Sequence, residues 1–74
     1  MSAVRMQSEL PATPLTPALV RRLLGWSQVR VAALAGTSVG TVRIFELNPS
    51  ALSDEKRSAL REAYASMRTQ LLAR

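Results

Sequence analysis

The chain has 74 residues and a mass of 8.1 kDa, room for one small domain with a thin core and marginal stability. It has no cysteine and no histidine, which excludes disulfides, iron–sulfur clusters and thiolate zinc sites and removes the commonest general base. Ten basic residues against five acidic give a net charge of +5, a sign that favours polyanions, with nucleic acid first and acidic membranes second.

Apolar residues make up 47% of the chain, too many for a disordered basic tail, so the chain is expected to fold. No apolar run approaches the roughly 20 residues of a membrane span. The segment from Met1 to Glu9 has one arginine and no continuous apolar stretch, which is not the pattern of a secretory signal. A cytoplasmic protein is expected, without membrane association.

Residues 1–15 read as a flexible tail. Pro11, Pro14 and Pro17 recur with Thr13 and Thr16 between them, and prolines remove donors and push the residues before them out of helical conformation. The tail is either a plain leader or an arm reaching along DNA or a partner subunit. The folded domain is then residues 16–74. Thr16-Pro17 is a helix start, with threonine as N-cap and proline at the first helical position. Leu19, Val20, Leu23 and Leu24 form one buried stripe, Arg21 and Arg22 fall on the other side, and Gly25 is placed for a left-handed C-cap. The first helix is expected over about 17–24.

Ser27 can cap a second helix, with Trp26 before it as an apolar anchor. Val31, Leu34 and Ala35 give this helix its inner face, and Gly36 stops it. Ser38 can cap a third helix running from Val39 to about Glu46, with Val42 and Phe45 inward. Asn48-Pro49-Ser50 breaks the chain again. Ser53-Asp54-Glu55 opens the last helix, a capping hydroxyl followed by two carboxylates that suit the helix dipole. Leu60, Tyr64, Met67 and Leu71 then repeat at heptad-like spacing. With no strand signal and no repeat, the expected fold is all-α with four helices.

The informative stretch is Ser27 to Glu46, two short helices joined by a tight turn. Where the helices cross, the first needs a small side chain, and Ala32 supplies it. The turn needs a residue that tolerates positive φ, and Gly36 supplies it. Gly36 lies four residues after Ala32 and six before Val42, the spacing of a helix-turn-helix. At about 100° per residue, with Val42 and Phe45 inward, Gly40, Arg43 and Ile44 point outward, flanked by Val39.

Ser27-Gln28, Val31-Ala32, Gly36, Ser38, Thr41-Val42 and Phe45-Glu46 follow one another without a gap in a pattern that resembles the phage repressor and Cro family of helix-turn-helix regulators, also called Xre-type. Leu23-Leu24-Gly25-Trp26 is similar to short bacterial members. The resemblance covers about residues 15–66 and implies a lambda repressor-like bundle. It further implies a third helix in the major groove of double-stranded DNA and a second helix whose N-terminus meets a phosphate. Carried onto this chain, it makes Gln28, Ser38, Val39, Gly40, Thr41, Arg43 and Ile44 the DNA-contacting set. Arg21, Arg22 and Arg30 add weaker phosphate attraction.

Each of these residues also has a plainer role: Arg43 as a solvated arginine, Ile44 as a core or dimer residue, Gln28 as a polar first-turn residue. Glu46 reads as a structural carboxylate that ends its helix. The chain departs from the family at Val39 and Gly40, where polar or charged residues are common, at Thr37, and after Glu46, where the usual glycine is absent. Specificity would then rest on Arg43, which can grip guanine O6 and N7, with thymine-methyl contacts from Val39 and Ile44.

The functional expectation is a dimeric repressor that occludes a promoter at an inverted-repeat operator, as in Cro-like proteins, controller proteins, antitoxins or operon autorepressors. The alternative is a protein-interaction module on the same fold. Because the seam of the last helix runs past what a four-helix domain needs, Tyr64, Met67 and Leu71 are expected at a homodimer interface. The competing view folds that half back on the first helix and Trp26. No nucleophile–base pair or metal cluster can be assembled, so no catalysis, metal, cofactor or small-molecule ligand is expected.

Overall fold

The computed structural model describes residues 14–74. Four α-helices follow in order: α1 Pro17–Leu23, α2 Gln28–Ala35, α3 Val39–Leu47 and α4 Asp54–Leu72, with a short 3-10 turn at Pro49–Ala51 between the last two. There is no strand among the described residues. The architecture is all-α, as composition and periodicity imply. No helix of the described residues is long and apolar enough to cross a membrane. The expected tail lies outside the described residues over 1–13. Leu15, the last position of that expected tail, packs against the core, and its carbonyl accepts from Arg68 Nη2 at 3.1 Å.

Each helix begins on a hydroxyl cap. The side chains of Thr16, Ser27, Ser38 and Ser53 accept from the backbone N–H three residues on, at Leu19, Arg30, Thr41 and Lys56. This satisfies donors that a helix N-terminus otherwise leaves unpaired. α1 and α2 end on glycines in left-handed conformation, Gly25 at φ 74° and Gly36 at φ 70°. After α1 the Gly25 N–H donates to Arg22 O at 2.9 Å and the Trp26 N–H to Arg21 O at 3.0 Å, the two bonds of a Schellman motif. A residue with a Cβ strains this backbone, so both helices stop where glycine permits it.

The core gathers Val20 from α1, Val31 and Ala32 from α2, Val42 and Phe45 from α3, and Leu60, Tyr64 and Met67 from α4. Val31, Val42, Leu60 and Met67 are fully enclosed. Phe45 stacks on Tyr64 with ring centroids 5.3 Å apart and planes 16° from parallel. α4 packs on all three other helices, so this one long helix backs the whole bundle.

The seam of α4 therefore requires a correction. Tyr64 (6% exposed) and Met67 (0%) lie inside the single chain, and Leu71 is half-buried against the same core with Leu15, Leu24 and Trp26. The stripe has intramolecular partners along its length, because α1 lies beside the distal half of α4. Arg74 Nη1 donates to Leu23 O at 2.9 Å, and Arg68 reaches Leu15 O near the other end of α1. Tyr64 and Met67 are thus not free for a dimer interface. Leu34, expected on the inner face of α2, is 51% exposed; Val31, Ala32 and the half-buried Ala35 make that face instead.

Candidate nucleic-acid interface

α2 and α3 pack against each other across the turn Gly36-Thr37-Ser38. The turn is closed by backbone bonds. The Gly36 and Thr37 N–H groups both donate to Ala32 O, the latter at 2.9 Å. Ser38 then caps α3. Its Oγ accepts from Thr41 N at 3.1 Å and shares a 2.9 Å hydrogen bond with Thr41 Oγ1. Ala32, 4% exposed, is small enough to let the two helices meet.

With Thr41, Val42 and Phe45 buried, α3 turns one stripe outward: Val39 at its edge, then Gly40, Arg43, Ile44 and Leu47, all four exposed. Ile44 is 41% and Leu47 80% exposed. The Arg43 side chain makes no hydrogen bond or ion pair with the described residues. Thr41 does not belong to this stripe. Its side chain is turned in and bonded to Ser38, because it sits one position before Val42 on the inward arc. Ser38 is exposed, but its hydroxyl is committed to the helix cap.

Behind the stripe lies a polar knot that sequence reasoning did not assemble. Glu46, near the end of α3, receives donors from each of the other three helices. Arg21 of α1 donates through Nε at 2.6 Å and Nη2 at 3.0 Å. Gln28 of α2 donates through Nε2 at 3.1 Å, and the Tyr64 hydroxyl of α4 donates to Oε2. Arg21 Nη1 also donates to Trp26 O at 3.1 Å. The side chains of Arg21 and Glu46 are only 11% and 5% exposed. No buried side-chain polar atom of the described residues lacks a partner.

The electrostatics follow from that geometry. Burial by itself would raise the Glu46 carboxyl, but the hydrogen bonds from Arg21, Tyr64 and Gln28, with the Arg21 charge, outweigh it and hold the carboxyl below its ordinary value. The bond to Glu46 holds the Arg21 guanidinium even more firmly protonated, against the opposing effect of burial. Burial, reinforced by the bond to Glu46, pushes the Tyr64 phenol well above its ordinary value.

Arg21 and Gln28, expected at the DNA backbone, are held in this knot. Arg21 is a structural residue, closed off by its bidentate grip on Glu46. Gln28 is half-buried with one amide N–H on the carboxylate, which leaves its second N–H uncommitted among the described residues. The available signal was that Glu46 is the one carboxylate between Glu9 and Asp54, an isolated acid in a basic stretch.

Of the other two arginines expected at phosphate, Arg22 is exposed and without a side-chain partner among the described residues, while Arg30 lies over the Trp26 ring at 3.9 Å from its centroid. That stacking covers the indole and still leaves the guanidinium edge exposed. Trp26 is accordingly half-buried at the rim of the core. Arg57 and Arg68 on α4, and Arg74 just beyond it, donate to backbone carbonyls.

Compared with protein-family models, curated proteins and solved structures, the chain has no match.

Proposed function

We propose that the chain is a sequence-specific regulator that binds double-stranded DNA through α2 and α3, in the manner of the phage repressor and Cro proteins its motif resembles. The observation that carries this reading is the α3 stripe: a short helix, held from behind by a closed core, that presents Arg43 outward in a protein of net charge +5. A helix so presented fits the major groove, and the excess positive charge supplies attraction to phosphate. The exposed Arg22, the edge of Arg30 and the free amide hydrogen of Gln28 are the backbone contacts. The action is repression by occupying a promoter in the bacterial cytoplasm.

Two copies on an inverted repeat, their α3 helices about 34 Å apart, double the few base pairs that one helix can read. With Tyr64 and Met67 enclosed, the pairing surface lies outside that seam, in the loop from Leu47 to Leu52, which carries the exposed Leu47.

Selection of bound duplexes from a random pool, followed by a salt series on the winner, tests the reading. Contact with about six phosphates lowers affinity about 10³-fold between 50 and 200 mM salt. An inverted repeat among the winners is the expected result. Equal affinity for the winner and a scrambled duplex overturns sequence-specific binding. Salt-insensitive binding to a protein in place of DNA supports the interaction-module alternative.

A further inference from the structure

The chemistry of the α3 stripe is narrower than that of a helix able to read any base pair. Thr41 is buried and bonded to Ser38, and the Ser38 hydroxyl caps the helix, so neither hydroxyl is available to a base edge. What faces outward is one multiple donor, Arg43, one branched apolar side chain, Ile44, and Gly40, which has none; Val39, at the edge of the stripe, is half-buried against the core and offers only its outer part.

Gly40 has no structural need to be glycine. Its φ is not positive, and a Cβ built there would meet only Ser38 Oγ, at an ordinary 3.8 Å. Glycine is a poor helix former, so the fold alone favours alanine at this position. The missing side chain does leave the first turn of α3 able to approach a flat surface as closely as backbone allows.

Resting on the DNA-binding reading, we infer that α3 reads its half-site by contact with thymine methyl groups around a single guanine, at the close approach that Gly40 permits. In the major groove the thymine C5-methyl is the one apolar feature of the base edges, and guanine O6 and N7 are the acceptor pair that matches a guanidinium. Ile44, with the part of Val39 that the core leaves uncovered, suits the former, and Arg43 suits the latter. Arg43 and Ile44 are adjacent in sequence and Val39 lies one helical turn before Arg43, so the thymines flank the guanine within the few base pairs one helix covers.

The test removes single groups from the DNA. In the selected duplex each thymine is replaced in turn by deoxyuridine, which lacks only the methyl, and each guanine by 7-deazaguanine, which lacks N7. Affinities are measured for the wild type and for Ile44→Ala, Val39→Ala, Arg43→Ala and Gly40→Ala, with thermal melting to confirm that each variant folds. For the wild type, deoxyuridine at one or two positions is expected to weaken binding about fourfold each, the value of one buried methyl group. The same replacement then has no further effect in Ile44→Ala or Val39→Ala.

7-Deazaguanine at one position weakens the wild type and not Arg43→Ala. Gly40→Ala melts no lower than the wild type and binds more weakly. A wild type indifferent to every deoxyuridine, or a methyl effect that persists in both alanine variants, overturns the inference while leaving DNA binding intact. Gly40→Ala binding as tightly as the wild type overturns the close approach. If no duplex is selected at all, the DNA-binding reading fails, and this inference with it.

Discussion

Glu46 joins α3 to α1, α2 and α4 through Arg21, Gln28 and Tyr64, so one side chain sets the mutual position of four helices. Removing it leaves Arg21 a nearly enclosed cation without its partner. Glu46→Ala should therefore lower stability by roughly 3–5 kcal/mol, a large part of what a small domain has. Urea unfolding followed by Trp26 fluorescence measures it. Tyr64→Phe removes one bond to a charged acceptor and should lose about 1.5–3 kcal/mol.

The pH dependence has a fixed sign at each end. The Glu46 carboxyl is lowered by folding, so its contribution is present above the ordinary carboxylate range and is lost as pH falls through its folded value. The Tyr64 phenol is raised, so its contribution is complete below about pH 10 and is lost as pH rises towards its folded value. Glu46→Gln should flatten the acid limb of a stability–pH curve, and an unchanged limb would place the acid-sensitive group elsewhere. At Gly36 the requirement is conformational. A Cβ there would meet nothing within 4 Å, but φ is 70°. Gly36→Val should lower stability by at least about 1 kcal/mol through backbone strain, read from the melting temperature.

At the scale of elements, α4 shows why a periodic apolar stripe is ambiguous. Leu60, Tyr64, Met67 and Leu71 have the spacing of a coiled-coil seam and equally that of a helix facing its own core. Here α1 lies along the distal half of α4, and Arg74 and Arg68 hold backbone carbonyls at Leu23 and Leu15. The stripe is closed within one chain. Met67, fully enclosed, should lose about 2–5 kcal/mol on replacement by alanine. Met67→Asp buries an unpaired charge and should unfold the monomer. Sedimentation together with circular dichroism separates this from a dimer interface: a folded Met67→Asp monomer formed from a wild-type dimer would mean the seam is exposed in solution.

For the molecule as a whole, charge is divided between holding the fold and facing solvent. Arg21, Arg57, Arg68 and Arg74 bond to a carboxylate or to backbone carbonyls, whereas Arg22, Arg43, Lys56 and Arg61 have no side-chain partner among the described residues. The second group, with the exposed edge of Arg30, should govern the response of DNA binding to salt. Replacing Arg22 by alanine should weaken binding similarly for all sequences and reduce the salt slope by about 1. Arg43→Ala should lose about 1–3 kcal/mol mainly on the preferred site. Gel shifts at several salt concentrations on selected and scrambled duplexes distinguish the two.

What sequence alone determined here is local. The hydroxyl caps at Thr16, Ser27, Ser38 and Ser53 and the left-handed glycines at 25 and 36 mark the helix ends to within a residue or so, because caps and turns depend on neighbours a few positions away. The alternation that buries Val31, Ala32, Val42 and Phe45 and turns Gly40, Arg43 and Ile44 outward was equally legible, since helical geometry sets it. Only the tertiary structure decided what lies across from each face. It enclosed Tyr64 and Met67, turned Leu34 to solvent and turned Thr41 inward onto Ser38. It also brought Arg21, Gln28 and Tyr64 to Glu46 from 25, 18 and 18 residues away. Periodicity states that a face is buried without naming its partner, and a hydrogen bond between distant helices leaves no spacing in the sequence from which it could be read.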